Sequence, residues 1–97
     1  MVYYPMEKYK LLLFEKSNLK HKKYDAVLLE LSSNSRIRIP FGDNRYEQFR
    51  DSTGLGLYSK LNHFDNKRRK SYVSRHVVHI RQGFYSPSYF SMEYLWK

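Results

Sequence analysis

A chain of 97 residues with 41% hydrophobic content and no cysteine can build one modest core, which excludes a second domain, a disulfide framework and a thiolate zinc site. Its 18 Lys and Arg against 9 Asp and Glu give a net charge of +9, a balance that favours polyanions or acidic surfaces as partners. No apolar run approaches the roughly 20 residues of a membrane span, and the start MVYYPMEKYK lacks the continuous apolar stretch of a secretory signal. The expectation is a single domain over residues 1–97, soluble and not secreted, with no membrane partner.

Taken in chain order, residues 8–16 (KYKLLLFEK) and 23–31 (KYDAVLLEL) are two apolar runs with a polar stretch between them. They predict antiparallel strands of a hairpin with a long loop. In the second run Val27, Leu29 and Leu31 alternate with Ala26, Leu28 and Glu30, so both faces should be partly covered, and Ala and Leu leave a helix as the competing assignment there. After the turn-rich SSNS, residues 36–41 alternate cleanly. Ile37, Ile39 and Phe41 fall on one face and Arg36 and Arg38 on the other, a third strand whose Pro40 suits a strand end or a sheet edge. Asp43 and Asn44 are candidate caps for a short helix through Tyr46, Phe49 and Arg50, and DSTGLGLYSK reads as a loop. Asp65 or Asn62 should cap the next helix, on which Tyr72, Val73, His76, Val77 and Ile80 share one face and which Gln82 and Gly83 end. Ser86 as N-cap and Pro87 in the first turn open a last helix that gathers Tyr89, Phe90, Tyr94 and Trp96. The fold class is therefore α+β: a small antiparallel sheet of about three strands followed by two or three helices, with Tyr72, Val77, Ile80, Phe90 and Trp96 in the core.

Charge is concentrated in LNHFDNKRRKSYVSRHVVHIR, residues 61–81, which carries Lys67, Arg68, Arg69, Lys70, Arg75 and Arg81 with no carboxylate after Asp65. A basic cluster on a helix is the electrostatic footprint of a nucleic-acid binder. Lys67, Arg68, Arg69, Lys70 and Arg75 are the expected phosphate contacts, supported by Arg36, Arg38 and Arg81, with DNA favoured and little sequence preference, since such contacts position a protein on a backbone. The plainer reading is a solvated helix face. Of the aromatics among these charges, Tyr58, Phe64, Tyr72, Phe84 and Tyr85, most are expected in the core, although rings so placed can stack on unpaired bases. Arg75, one turn from Tyr72, is expected to be partly enclosed and paired with Asp65 or another carboxylate.

Catalysis is not expected, and neither a cofactor nor a metal is implied. His63, Asp65 and His76 suggest an acid–base or metal constellation, but a capping role for Asp65 and local hydrogen bonds for the histidines account for them more simply. A metal-dependent nuclease needs several grouped carboxylates, whereas Asp43, Glu47, Asp51 and Asp65 are scattered among arginines. Gly54-Leu55-Gly56 lacks the lysine and Ser/Thr of a phosphate loop and reads as a turn.

The segments FGDNRYEQFRD, HFDNKRRKSYVSRH and YSPSYFSMEYLW together resemble a small family encoded by large DNA viruses and some phages. Its members share an FG-containing strand end, a Y-x-x-[YF] element, an H-x-D-x-x-R-x-x-x-Y-x-x-R-H helix and an aromatic L-W. The matching positions here are Phe41 and Gly42, Tyr46 and Phe49, then His63, Asp65, Arg68, Tyr72, Arg75 and His76, then Leu95 and Trp96. The resemblance covers residues 37–97 and implies a viral origin, no established catalytic role, and a location in the virion or the infected cell, whether virus factory, cytoplasm or nucleus. It also admits a rival to nucleic-acid binding: a minor capsid or cement protein whose aromatic C-terminal region inserts between capsid subunits and whose charge meets acidic capsid proteins.

Overall fold

Period-two runs in the first half of the chain pair as strands in the computed structural model, which describes residues 2–97. A two-residue strand, β1 (Tyr4–Pro5), is followed by β2 (Tyr9–Lys16), β3 (Lys22–Glu30) and β4 (Arg36–Asp43). The last three form an antiparallel meander in the order β2-β3-β4. All three expected strands are present, and β3 is a strand, not a helix, because a neighbour on each side satisfies its backbone. Pro40 lies on the edge strand β4, where a missing N–H breaks no ladder on the open side.

The triple leucine of β2 is explained by its register. Leu11 faces Leu28, but the next paired residue, Leu13, faces Val27, so one residue is inserted as a bulge. Without it, strict alternation would send either Leu11 or Phe14 to the wrong face. With it, Tyr9, Leu11 and Phe14 all pack on the core formed by Tyr24, Ala26, Leu28, Ile39 and Phe41. The opposite face carries Arg36 and Arg38, as expected, and there an Arg38–Glu15 ion pair reaches across the central strand. Val27 and Asp25 beneath it are buried, so both faces of β3 are covered.

The expected helix at residues 43–50 does not form. Strand β4 runs through Asp43, whose carboxylate accepts from the Arg45 backbone N–H at 2.9 Å and pairs with the Arg45 guanidinium at 2.7 Å. That local bond competes with helix formation, and the guanidinium holds the Asp43 carboxyl far below the usual carboxylate range. Turns lead to one 3-10 turn, Ser59–Leu61, and then to α1 (Asn66–His76). A second 3-10 turn, Val77–His79, replaces the continuation expected up to Gln82. Two successive β-branched valines propagate a helix poorly, and with the periodicity broken Val77 is 52% exposed rather than in the core. Ile80, Tyr72 and Trp96 are half-buried, and only Phe90 of the five expected core residues is fully enclosed.

Strand β5 (Phe84–Tyr85) returns to pair with β1, Tyr4 opposite Tyr85. Helix α2 (Pro87–Leu95) then starts as expected: the Ser86 hydroxyl accepts from the Tyr89 N–H at 3.2 Å, with Pro87 in the first turn. It lies on the core face of the meander, burying Phe90 and Leu95 against Phe41 and Tyr24. The architecture is α+β, a three-stranded antiparallel sheet with a two-stranded ribbon and two helices. Among the described residues no helix is long and apolar enough to cross a membrane.

Gly42 sits where β4 meets α2. Its φ is +75°, and a Cβ there would lie 2.8 Å from Leu95 Cδ1 and 3.2 Å from Lys23 Cδ. Both the left-handed backbone and the contact penalise a side chain. Gly42→Ala should therefore lower stability by about 1–3 kcal/mol, seen as a lower midpoint in chemical denaturation; an unchanged midpoint would contradict this packing.

Candidate nucleic-acid interface

Helix α1 begins at Asp65, not Asn62. Its carboxylate accepts from the backbone N–H groups of Lys67 and Arg68 at 2.9 and 3.2 Å, and those bonds hold the Asp65 carboxyl below its ordinary range. Lys and Arg are good helix formers, so the cap and the basic run agree. Tyr72 and His76, four residues apart, stack at 4.0 Å between ring centres. Trp96, just past α2, stacks on the other face of Tyr72 at 4.1 Å with the planes 3° apart. A three-ring column thus fastens α1 to the end of α2, and burial pushes the Tyr72 phenol up.

With Tyr72 and His76 turned inward, Lys67, Arg68, Lys70 and Arg75 are exposed. Arg69 is half-buried, its guanidinium 5.0 Å from the centre of the Phe49 ring. Arg68 pairs with Glu47 at 2.9 Å, both side chains about half exposed. Arg81 lies beyond the second 3-10 turn, over Phe84 at 4.2 Å. Arg36 and Arg38 stand on the sheet face turned away from the core, the latter paired with Glu15. The structure therefore brings five of the eight sequence-picked cations onto one helix and leaves Arg36 and Arg38 apart from it.

Arg75 is not enclosed. Asp65 is engaged in capping, and among the described residues no carboxylate pairs with Arg75. Arg75→Ala should change stability by no more than the about 0.5 kcal/mol typical of surface substitutions, with little change in thermal midpoint, while weakening binding to a polyanion. A midpoint lowered by several degrees would contradict its free exposure.

His63, Asp65 and His76 do not converge on a common centre. The Asp65 N–H donates to His63 Nδ1 at 2.9 Å, which places the proton of that ring on Nε2, and His76 Nδ1 donates to the Tyr72 carbonyl at 3.0 Å. Burial and the nearby Arg68 guanidinium lower the His63 pKa. Among the described residues no three His, Asp or Glu side chains are grouped as metal ligands would be.

Sequence reasoning missed a buried polar network beneath α1. Lys23 Nζ donates to Gln48 Oε1 at 2.5 Å. Gln48 Nε2 donates in turn to the Tyr58 carbonyl at 2.8 Å and to Asn62 Oδ1 at 2.6 Å, and Asn62 Oδ1 also accepts from the Asp51 N–H at 2.8 Å. The Tyr24 hydroxyl donates to Asp51 Oδ2 at 2.5 Å and accepts from the Leu57 N–H at 3.0 Å. These bonds hold the irregular residues 44–64 on the sheet, and through them the start of α1. Neither Lys23 nor Gln48 announces burial in a local pattern, since both are normally surface residues.

Burial pushes Lys23 down from its ordinary 10.5 to about 8 and the Tyr24 phenol up to about 12. Between pH 8 and 10.5 the unfolded lysine keeps a proton that the folded one has released, so stability should rise there, by about 2–3 kcal/mol. The raised Tyr24 acts with the opposite sign: its contribution is complete below about pH 10 and is lost as pH climbs towards 12. Denaturation midpoints should peak near pH 10, and Lys23→Met should flatten the rise from pH 8. A wild-type profile matching that of Lys23→Met would contradict the burial.

No family model matches the chain, and no curated protein or solved structure matches it.

Proposed function

We propose that this is a non-catalytic protein that grips the phosphate backbone of nucleic acid, DNA in preference, through α1 and with little sequence discrimination. The observation that carries this reading is the state of the α1 cations. Five of them lie on one capped helix, four are exposed, and among the described residues a single one, Arg68, is held in an ion pair. Exposed ion pairs are worth about 0–1 kcal/mol, so Glu47 does not compete with a polyanion. Binding is driven by release of counterions as phosphates are neutralised, and the cations contact backbone oxygens, which carry no base identity. Anisotropy of a labelled duplex oligonucleotide at low ionic strength tests it: saturable binding of similar strength for unrelated sequences is expected, and no binding overturns the proposal.

The viral resemblance supports a site of action in the virion or the infected cell. A second reading, a minor capsid or cement protein contacting acidic capsid subunits, is favoured by one observation. Val77 and Val78 are 52% and 76% exposed beside these cations, an apolar pair of the kind that anchors interfaces. Fractionation of purified particles separates the two, with the protein expected in the genome-associated fraction and not in the shell.

A further inference from the structure

Trp96 separates two depressions of opposite character. On one side, between α1 and α2, lies a mainly apolar groove of about 450 Å³ lined by Val73, Met92 and the indole together with Arg69 and Lys70. Its single carboxylate, Glu93, is already paired with Lys97 at 3.0 Å. On the other side of the same indole is a depression of about 330 Å³ bounded by Lys67, Arg68 and Arg75. An apolar slot beside a cationic one, sharing an aromatic wall, matches the two halves of a nucleotide, a flat apolar base and an anionic phosphate. Paired bases are already stacked and have no free face to offer a groove; unpaired ones do.

We infer that the α1–α2 groove receives an unpaired base against Trp96 while the α1 cations hold the flanking phosphates, which makes single-stranded nucleic acid the preferred ligand. This rests on the reading of α1 as a phosphate-binding helix and adds a base-dependent contribution to it. One face of the indole is taken by Tyr72 at 4.1 Å and the His63 ring lies 5.2 Å from it on a tilt, so the indole meets a base with its edge, and little freedom remains to be lost when that base arrives. Duplex DNA would bind through backbone contacts alone. Because every base has a π-face, the groove would take bases with little discrimination.

Trp96 is the only tryptophan of the chain, so its fluorescence reports from the groove itself. The probes are a short oligothymidylate and an abasic oligomer of equal length, which present the same phosphates and differ only in bases. The expected result is quenching of Trp96 by the oligothymidylate and affinity up to about 10-fold above that of the abasic strand, the scale of one edge-to-face aromatic contact. Ser74 is exposed and lines the groove, so Ser74→Leu should fill it without changing charge or fold. That variant should lose the base-dependent preference and keep salt-sensitive binding to the abasic strand. Equal affinity for the two strands, or binding without quenching, would overturn the base site and leave the phosphate-binding reading of α1 standing. Failure of both strands to bind at low salt would overturn both. Equally effective competition by polyglutamate would also overturn the base site, and would point to an acidic protein partner.

Discussion

Ending the chain after Glu93 should leave a polypeptide that does not fold. Of the four side chains lost with residues 94–97, three each hold a different part of the structure. Tyr94 packs edge-on against Phe14 of β2 with ring centres 4.6 Å apart. Leu95 is 1% exposed and fills the space over Gly42. Trp96 closes the ring column that fastens α1. The backbone bonds to the loop go as well, since the Leu95 and Tyr94 carbonyls accept from the Arg50 and Ser52 N–H groups at 2.9 and 2.8 Å. Truncating one large buried side chain costs about 2–5 kcal/mol, and the whole stability of a domain is about 5–15 kcal/mol. Without disulfides a small domain has little reserve. Circular dichroism of the truncated chain should show no cooperative melt. A transition near that of the full chain would make the segment an interface anchor and move the capsid reading ahead of nucleic-acid binding.

Replacing Lys67, Arg68, Arg69 and Lys70 together by alanine should abolish most of the affinity and little of the stability. Alanine is the best helix former, the Asp65 cap bonds to backbone and not to these side chains, and the lost Arg68–Glu47 pair is exposed. Removing Arg69 from the Phe49 ring costs about 0.5–1 kcal/mol. The binding loss is far larger. Each phosphate contact contributes about 0.9 of a log unit per tenfold fall in salt, so four contacts are worth on the order of 10³-fold at about 0.1 M relative to a 1 M reference. Competition anisotropy against the wild-type protein measures this directly. The loss should be the same for every sequence; a loss confined to one sequence would mean that these residues read bases.

Much of the sheet was legible in the chain because half-buried strands repeat every two residues. The alternation of Arg36, Ile37, Arg38 and Ile39 assigned β4 and its two faces correctly, and Ser86-Pro87 assigned the start of α2, since caps are local chemistry. What escaped is non-local. The pairing of Tyr4 with Tyr85 joins segments far apart in the chain and leaves no local periodicity in either. The triple leucine hid a bulge that only the register of β3 reveals. The helix-cap signal Asp43-Asn44 stands at the start of the irregular stretch, yet a buried network of Lys23, Gln48 and Asn62 decides its path. The α1 cations were legible as a run. Their division was not: the wheel correctly turned Tyr72 and His76 inward, but Trp96 meets Tyr72 only because α2 returns alongside, and Arg75 stays free because ten residues of helix set it about 15 Å from Asp65. Arg36 and Arg38 share the charge of α1 but not its location, which composition cannot distinguish.

The most direct test of the account is the salt dependence of duplex binding by the wild-type protein. On the proposed function, Lys67, Arg68, Arg69, Lys70 and Arg75 would provide about five phosphate contacts, and counterion release from B-DNA gives a slope of about −0.9 per contact. A plot of log K against log salt should therefore fall with a slope of about −4 to −5. A slope near zero, or no binding at low salt, would contradict the assignment of α1 as a phosphate-binding helix.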